Sequence, residues 1–113
     1  MKILLLTFSC ALFVTGCSTP TLYSWGNYES MVYGMYANPD KVTPEVQLEK
    51  LLEDLEKAEA KGKKMPPGFH AHLGFLYHKT GELTNARSSF ETEKALFPES
   101  ATLMDRFIAN TGG

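Results

Sequence analysis

Residues 67–98, PGFHAHLGFLYHKTGELTNARSSFETEKALFP, decide the fold. Two apolar-periodic stretches, 69–79 and 84–97, flank the turn Thr80-Gly81-Glu82. Pro98 closes the second, because proline cannot continue the helical hydrogen-bond ladder. Gly74 and Ala86 are small, so two helix backbones can approach there, and Leu73, Tyr77 and Phe90 fill the space around them. Gly81 supplies the turn residue. The stretch predicts two antiparallel helices packed into a hairpin.

The order Leu73, Gly74, Tyr77, Gly81, Ala86, Phe90, Pro98 resembles one tetratricopeptide repeat, a helical hairpin of about 34 residues. Two positions depart from that pattern. His70 stands where the first helix has an early aromatic, although Phe69 is adjacent, and Glu93 replaces a small residue late in the second helix. Tetratricopeptide stacks use that small residue to seat a neighbouring repeat, so Glu93 argues against a regular stack. A shift of about 34 residues finds no second copy: Leu52 aligns with Ala86 and Glu56 with Phe90. The expectation is an all-α fold, a single tetratricopeptide-like hairpin with flanking helices. A lone repeat does not bury enough surface to be stable, so those flanks must complete the core.

The flanks are legible. Thr43-Pro44-Glu45 starts a helix with a cap, a first-turn proline and a favourable charge. It runs over 44–61, with Leu48, Leu51, Leu52, Leu55 and Ala58 on its apolar face, and Lys61-Gly62 ends it. Its carboxylates, Asp54 among them, read as a solvated face, with Glu53–Lys57 and Lys50–Asp54 as four-apart pairs. Ser100 is the expected cap of a last helix over 101–109, whose Leu103, Phe107 and Ile108 would cover the end of the hairpin. Upstream, residues 22–40 are aromatic-rich, with Tyr23, Trp25, Tyr28, Tyr33 and Tyr36. A short helix is expected over 27–37, stopped by Asn38-Pro39. Trp25, Tyr28 or Glu29, Val32 and Tyr36 recur at helical spacing, with Met31 and Met35 on the adjacent stripe. Trp25, Tyr28, Tyr33 and Tyr36 are candidates for the core, for a protein partner, or for lipid head groups.

The chain has 113 residues, a formal net charge of −2 and 43% hydrophobic residues, which suits one globular domain at most. An acidic balance argues against nucleic acid as the partner. Residues 3–14 form an apolar run behind Lys2, shorter than the ~20 residues of a membrane span and suited to a signal peptide. Val14-Thr15-Gly16-Cys17 follows and resembles the bacterial lipobox. The resemblance implies cleavage before Cys17, acylation of its thiol and new amine, and a membrane anchor. With Cys10 removed and Cys17 consumed by lipid (diacylglycerol and a fatty acyl group such as palmitate), no disulfide is expected. Ser18 in place of Asp implies, by the same resemblance, passage to the outer membrane, facing the periplasm. The expected organisation is a signal peptide over 1–16, a lipidated tether over 17–21, the aromatic segment over 22–40 and the helical domain over 41–113.

Catalytic signatures are not apparent. There is no Gly-rich phosphate loop, serine elbow or mature cysteine nucleophile. His70 and His72 are two apart and point to different sides of a helix, and His78 is two turns from His70, so neither metal nor another cofactor is expected. The cluster Lys61-Gly62-Lys63-Lys64 could touch anionic lipid but reads first as a solvated helix end.

The lipobox, Tyr23-Ser24-Trp25-Gly26-Asn27-Tyr28-Glu29, the run 68–74 and the run 90–100 together resemble a family of small bacterial lipoproteins known only as a domain of unknown function. Glu93 lies inside a matching run, which makes it a trait of that family. Relatives are often encoded beside a lipoprotein resembling the curli-secretion pore (CsgG type). The resemblance thus implies a non-enzymatic adaptor or accessory subunit of an envelope complex. Such a protein would contact a CsgG-like lipoprotein through Trp25, Tyr28, Tyr33 and Tyr36 or through the concave side of the hairpin. Self-association is a further way to gain stability. The alternative is a structural lipoprotein that stabilises the envelope or contacts peptidoglycan without a dedicated protein partner.

Overall fold

The computed structural model describes residues 16–17 and 21–112. Residues 1–15, 18–20 and 113 lie outside the described residues, and with them most of the segment expected as a signal peptide over 1–16 and part of the tether expected over 17–21. Among the described residues the fold is all-α: α1 (Tyr28–Ala37), α2 (Pro44–Ala60), α3 (Phe69–Lys79), α4 (Leu83–Leu96) and α5 (Ala101–Thr111), with a 3₁₀ turn at Pro98–Ser100. No helix among them is long and apolar enough to cross a membrane.

The hairpin is built as its sequence dictates. Gly74 sits so close to the Phe90 ring that any Cβ there would collide with three of its carbons. Ala86 is buried with Phe90, while Leu73 and Leu76 are buried on the α2 side of the hairpin. Gly68 of the α3 start meets Glu93 of α4, and Gly74 meets Phe90, so the two helices run antiparallel.

Glycine ends both α2 and α3 in the same way. After α2, Gly62 adopts φ +64°, its N–H bonds to Glu59 O at 3.0 Å, and Lys63 N–H bonds to Ala58 O at 2.9 Å. After α3, Gly81 adopts φ +82°, Gly81 N–H bonds to His78 O at 3.2 Å, and Glu82 N–H bonds to Tyr77 O at 2.8 Å. Each is a Schellman motif, which satisfies two orphan carbonyls and needs a left-handed residue.

The core has two parts. Leu48, Leu51 and Ala58 of α2 meet Phe69, Leu73 and Leu76 of α3 over Met65, with Tyr28 and Met31 of α1 against them. Ala86 and Phe90 of α4 meet Met104 of α5, with Ile108 at the edge. Tyr77 touches both parts. α5 thus covers the hairpin end, as expected, but through Met104 rather than Leu103, which is exposed. Phe107 does reach the Phe90 ring, at 5.2 Å between centroids.

Several local expectations are corrected. Thr43 caps α2, accepting from Val46 N–H at 3.4 Å, whereas Ser100 caps nothing: its hydroxyl donates back to Phe97 O at 2.7 Å and its backbone is already helical. Leu52 is exposed, because the inward stripe of α2 runs through Gln47, Leu51, Asp54 and Ala58. Glu53 pairs with Lys57 at 3.9 Å, but Lys50 pairs with Glu53 at 3.8 Å instead of Asp54.

Candidate functional site

Two buried carboxylates place the helices that carry the candidate surfaces. Asp54 is only 5% exposed. It accepts from Asn27 N–H at 2.6 Å and from Asn27 Nδ2 at 3.0 Å. Asn27, at the start of α1, offers no side-chain cap of its own. Asp54 therefore caps α1 from α2, where a negative charge also suits the helix dipole. Gly26, at φ +47°, is required beside it, since a Cβ there would stand 2.5 Å from the carboxylate carbon. Glu93 repeats the device. It is 3% exposed, and its Oε1 accepts from Gly68 N–H, the glycine cap of α3, at 2.6 Å. Its Oε2 has no hydrogen-bond partner. The residue that departs from the repeat pattern thus does a specific job, holding the α3 start against α4.

α1 divides its aromatics between core and solvent. Tyr28 packs edge-on against Phe69 at 5.7 Å and His72 at 5.9 Å. Burial, and then the negative charge of Glu93, push its phenol pKa upward. Gly34 lets the helix press onto Val42, whose methyl would lie 2.8 Å from a Cβ. The inward face is therefore Tyr28, Met31 and Gly34, not the stripe through Tyr36. Tyr33 and Tyr36, one turn apart, are 74% and 78% exposed, and Trp25 is 43% exposed. Of the four candidate contact residues, Tyr28 is half-buried against the core and the other three are available at the surface.

The chain ahead of α1 is pinned to the loop after α2. Tyr23 forms an isolated parallel bridge with Lys64, and Ser24 N–H donates to Lys64 O at 2.8 Å. The Tyr23 ring reaches Phe97 at 6.2 Å. This brings exposed Leu22 beside exposed Lys63 and Lys64, a juxtaposition that sequence separation conceals.

The histidines go to separate places. His72 Nε2 lies 2.9 Å from Gln47 Oε1, which makes the ring nitrogen the donor, while Gln47 Nε2 donates to Val42 O at 3.2 Å. Burial lowers the pKa of His72. It also lowers that of His70, against the opposing pull of Glu93 and Glu59. His78 lines an apolar cavity of about 280 Å³ with Phe75, Phe90, Phe107 and Asn110, between α3, α4 and α5. Among the described residues no three His, Cys, Asp or Glu side chains converge as metal ligands would. Cys17 is exposed and forms no disulfide among the described residues.

The model of one protein family, described as a domain of unknown function (DUF4810), matches residues 22–107. No curated protein and no solved structure matches the chain. The match takes in the aromatic segment, the hairpin and most of α5, and on it the chain belongs to the DUF4810 family.

Proposed function

We propose that this protein is an outer-membrane-anchored lipoprotein that works as a non-enzymatic adaptor or accessory subunit of an envelope complex, of the kind built around a CsgG-like secretion pore. Lipidated Cys17 holds it at the periplasmic face, and the helical domain engages a protein partner. The α3–α4 hairpin is read as a single tetratricopeptide-like unit, on the Gly74–Phe90 contact, buried Ala86 and the Gly81 turn.

The observation that carries the reading is the division of α1. One face is fixed in the core by Tyr28 and Met31 and capped by Asp54, so the helix is held in one orientation. The other face presents Tyr33 and Tyr36 to solvent. Large uncovered tyrosine rings on a helix held in one orientation suit the centre of a protein interface, where tyrosine is enriched and supplies area at low entropic cost.

The test is crosslinking of the lipidated protein in intact cells, followed by purification from outer membranes and identification of co-purifying chains. A stoichiometric envelope protein that is lost on combined Tyr33→Ser and Tyr36→Ser, with the helical circular dichroism intact, supports the adaptor. Recovery of the protein alone, or with peptidoglycan fragments only, moves the reading to a structural lipoprotein.

A further inference from the structure

We infer that the edge formed by residues 22–25 and 61–64 is a docking surface for an anionic phospholipid membrane, separate from the tyrosine face of α1. The inference rests on the lipid-anchor reading for its setting but on the structure for its residues. The isolated bridge between Tyr23 and Lys64 and the Ser24–Lys64 bond join a hydrophobic strip to a basic loop. Leu22 is 74% exposed, and Trp25 follows three residues later. On the joined side Lys61, Lys63 and Lys64 are all exposed, and among the described residues none forms an ion pair.

The chemistry of this edge fits a lipid head-group region. A leucine and a tryptophan provide an apolar and an amphipathic insert, and tryptophan favours the membrane–water boundary. Lysines provide ammonium groups for lipid phosphates and can extend along the surface while their stems stay on apolar ground. Each basic charge near an anionic surface is worth about fivefold in binding. Between Cys17 and Trp25 the sequence carries no charged residue. Position makes the occupant specific. Leu22 is five residues from Cys17, which limits their separation to about 18 Å even for a fully extended chain. An acyl group on Cys17 therefore holds this edge within reach of the bilayer.

Trp25 is the chain's single tryptophan and reports on its own surroundings. The lipidated protein is purified, the mass of its N-terminal peptide is read, and it is placed in vesicles of phosphatidylcholine with or without phosphatidylglycerol, carrying brominated acyl chains. We expect bromine quenching of Trp25 that is stronger with phosphatidylglycerol and weakened by salt. We also expect it to persist when about twelve Gly/Ser residues are inserted between Thr21 and Leu22, which relieves the tether. The triple change Lys61→Gln, Lys63→Gln, Lys64→Gln lowers affinity in the extended-tether protein by about a hundredfold. Quenching that disappears on tether extension, or that ignores both lipid charge and the triple change, overturns the inference. Self-association lost on Leu22→Ser would assign the edge to a second copy and overturn it equally. If the mass shows an unmodified Cys17, the anchor reading fails by itself. The edge is then judged on the unmodified protein added to the same vesicles: charge-dependent quenching keeps it, and none at millimolar lipid ends it.

Discussion

Replacing Gly74 with alanine separates local helix preference from tertiary packing, because the two predict opposite signs. Taken alone, Gly→Ala in a helix interior stabilises by about 1 kcal/mol. Here the new Cβ would lie 2.5 Å from Phe90 Cδ1 and 2.8 Å from Cζ, whereas ordinary contact begins near 3.4 Å. The ring must therefore retreat by about 1 Å. It has little room, since Phe90 is buried with Ala86 and Met104 and has Phe107 beside it. Overpacking of that kind costs about 1–3 kcal/mol, toward the upper end where the neighbour is a confined ring. Subtracting the helical gain leaves a net loss of about 1–2 kcal/mol. For a domain of this size that is a fall in melting temperature of about 5–15 °C. Urea and thermal unfolding followed by circular dichroism measure it. Adding Phe90→Leu, which gives the methyl room, should recover at least about 0.5 kcal/mol relative to additivity. A Gly74→Ala protein more stable than the parent, with no coupling to position 90, would refute the close approach of α3 and α4.

Other outcomes follow from the same contacts. Asp54→Ala removes both bonds to Asn27, so α1 should lose about 1–3 kcal/mol of local stability; hydrogen exchange should speed up over Tyr28–Ala37 while α3 and α4 keep their protection, and a uniform loss would contradict the cap. Glu93→Ala strands the Gly68 N–H and leaves a void, at about 2–3 kcal/mol, whereas Glu93→Gln keeps an acceptor for that N–H and should cost less; a stabilised Glu93→Ala protein in urea unfolding would show the carboxylate to be a net burden. Burial lowers the pKa of His70 and His72 below the 6.5 of a free imidazole. The unfolded chain therefore binds protons more readily than the folded one, and stability present above about pH 6.5 declines as pH falls through that value toward the lower folded pKa values. Urea midpoints from pH 8 to 5.5 should drop, and combined His70→Gln and His72→Gln should flatten the profile.

Most of the fold was legible because it rests on local chemistry. Thr43-Pro44, Gly62, Gly81 and Pro98 fix helix ends by rules that act within a few residues, and four of the helices fall within a residue of expectation at each end. The interior polar residues were harder. Read by itself, α2 offers Asp54 as part of a solvated face, and α4 offers Glu93 only as a departure from the repeat pattern. Yet Gln47, Leu51, Asp54 and Ala58 share one stripe, as do Ala86, Phe90 and Glu93, and that spacing was available as a signal. Their partners were not: Asn27 and Gly68 lie 27 and 25 residues away, and only the packed fold brings them together. The aromatic segment was ambiguous for a related reason. Helical spacing places Tyr28 and Tyr36 together, but the Asp54 cap and the fit of Gly34 on Val42 set the rotation of α1, which turns Tyr28 inward and Tyr36 outward. The joining of Tyr23 to Lys64 rests on a backbone bridge that leaves no mark in composition or periodicity.

The most direct measurement of the adaptor account is site-specific photocrosslinking in living cells from position 36, compared with position 57 on the charged face of α2. The account predicts a discrete adduct with one envelope protein from position 36, absent from position 57, in the outer-membrane fraction. No adduct from position 36, or the same set of adducts from both positions, would contradict it.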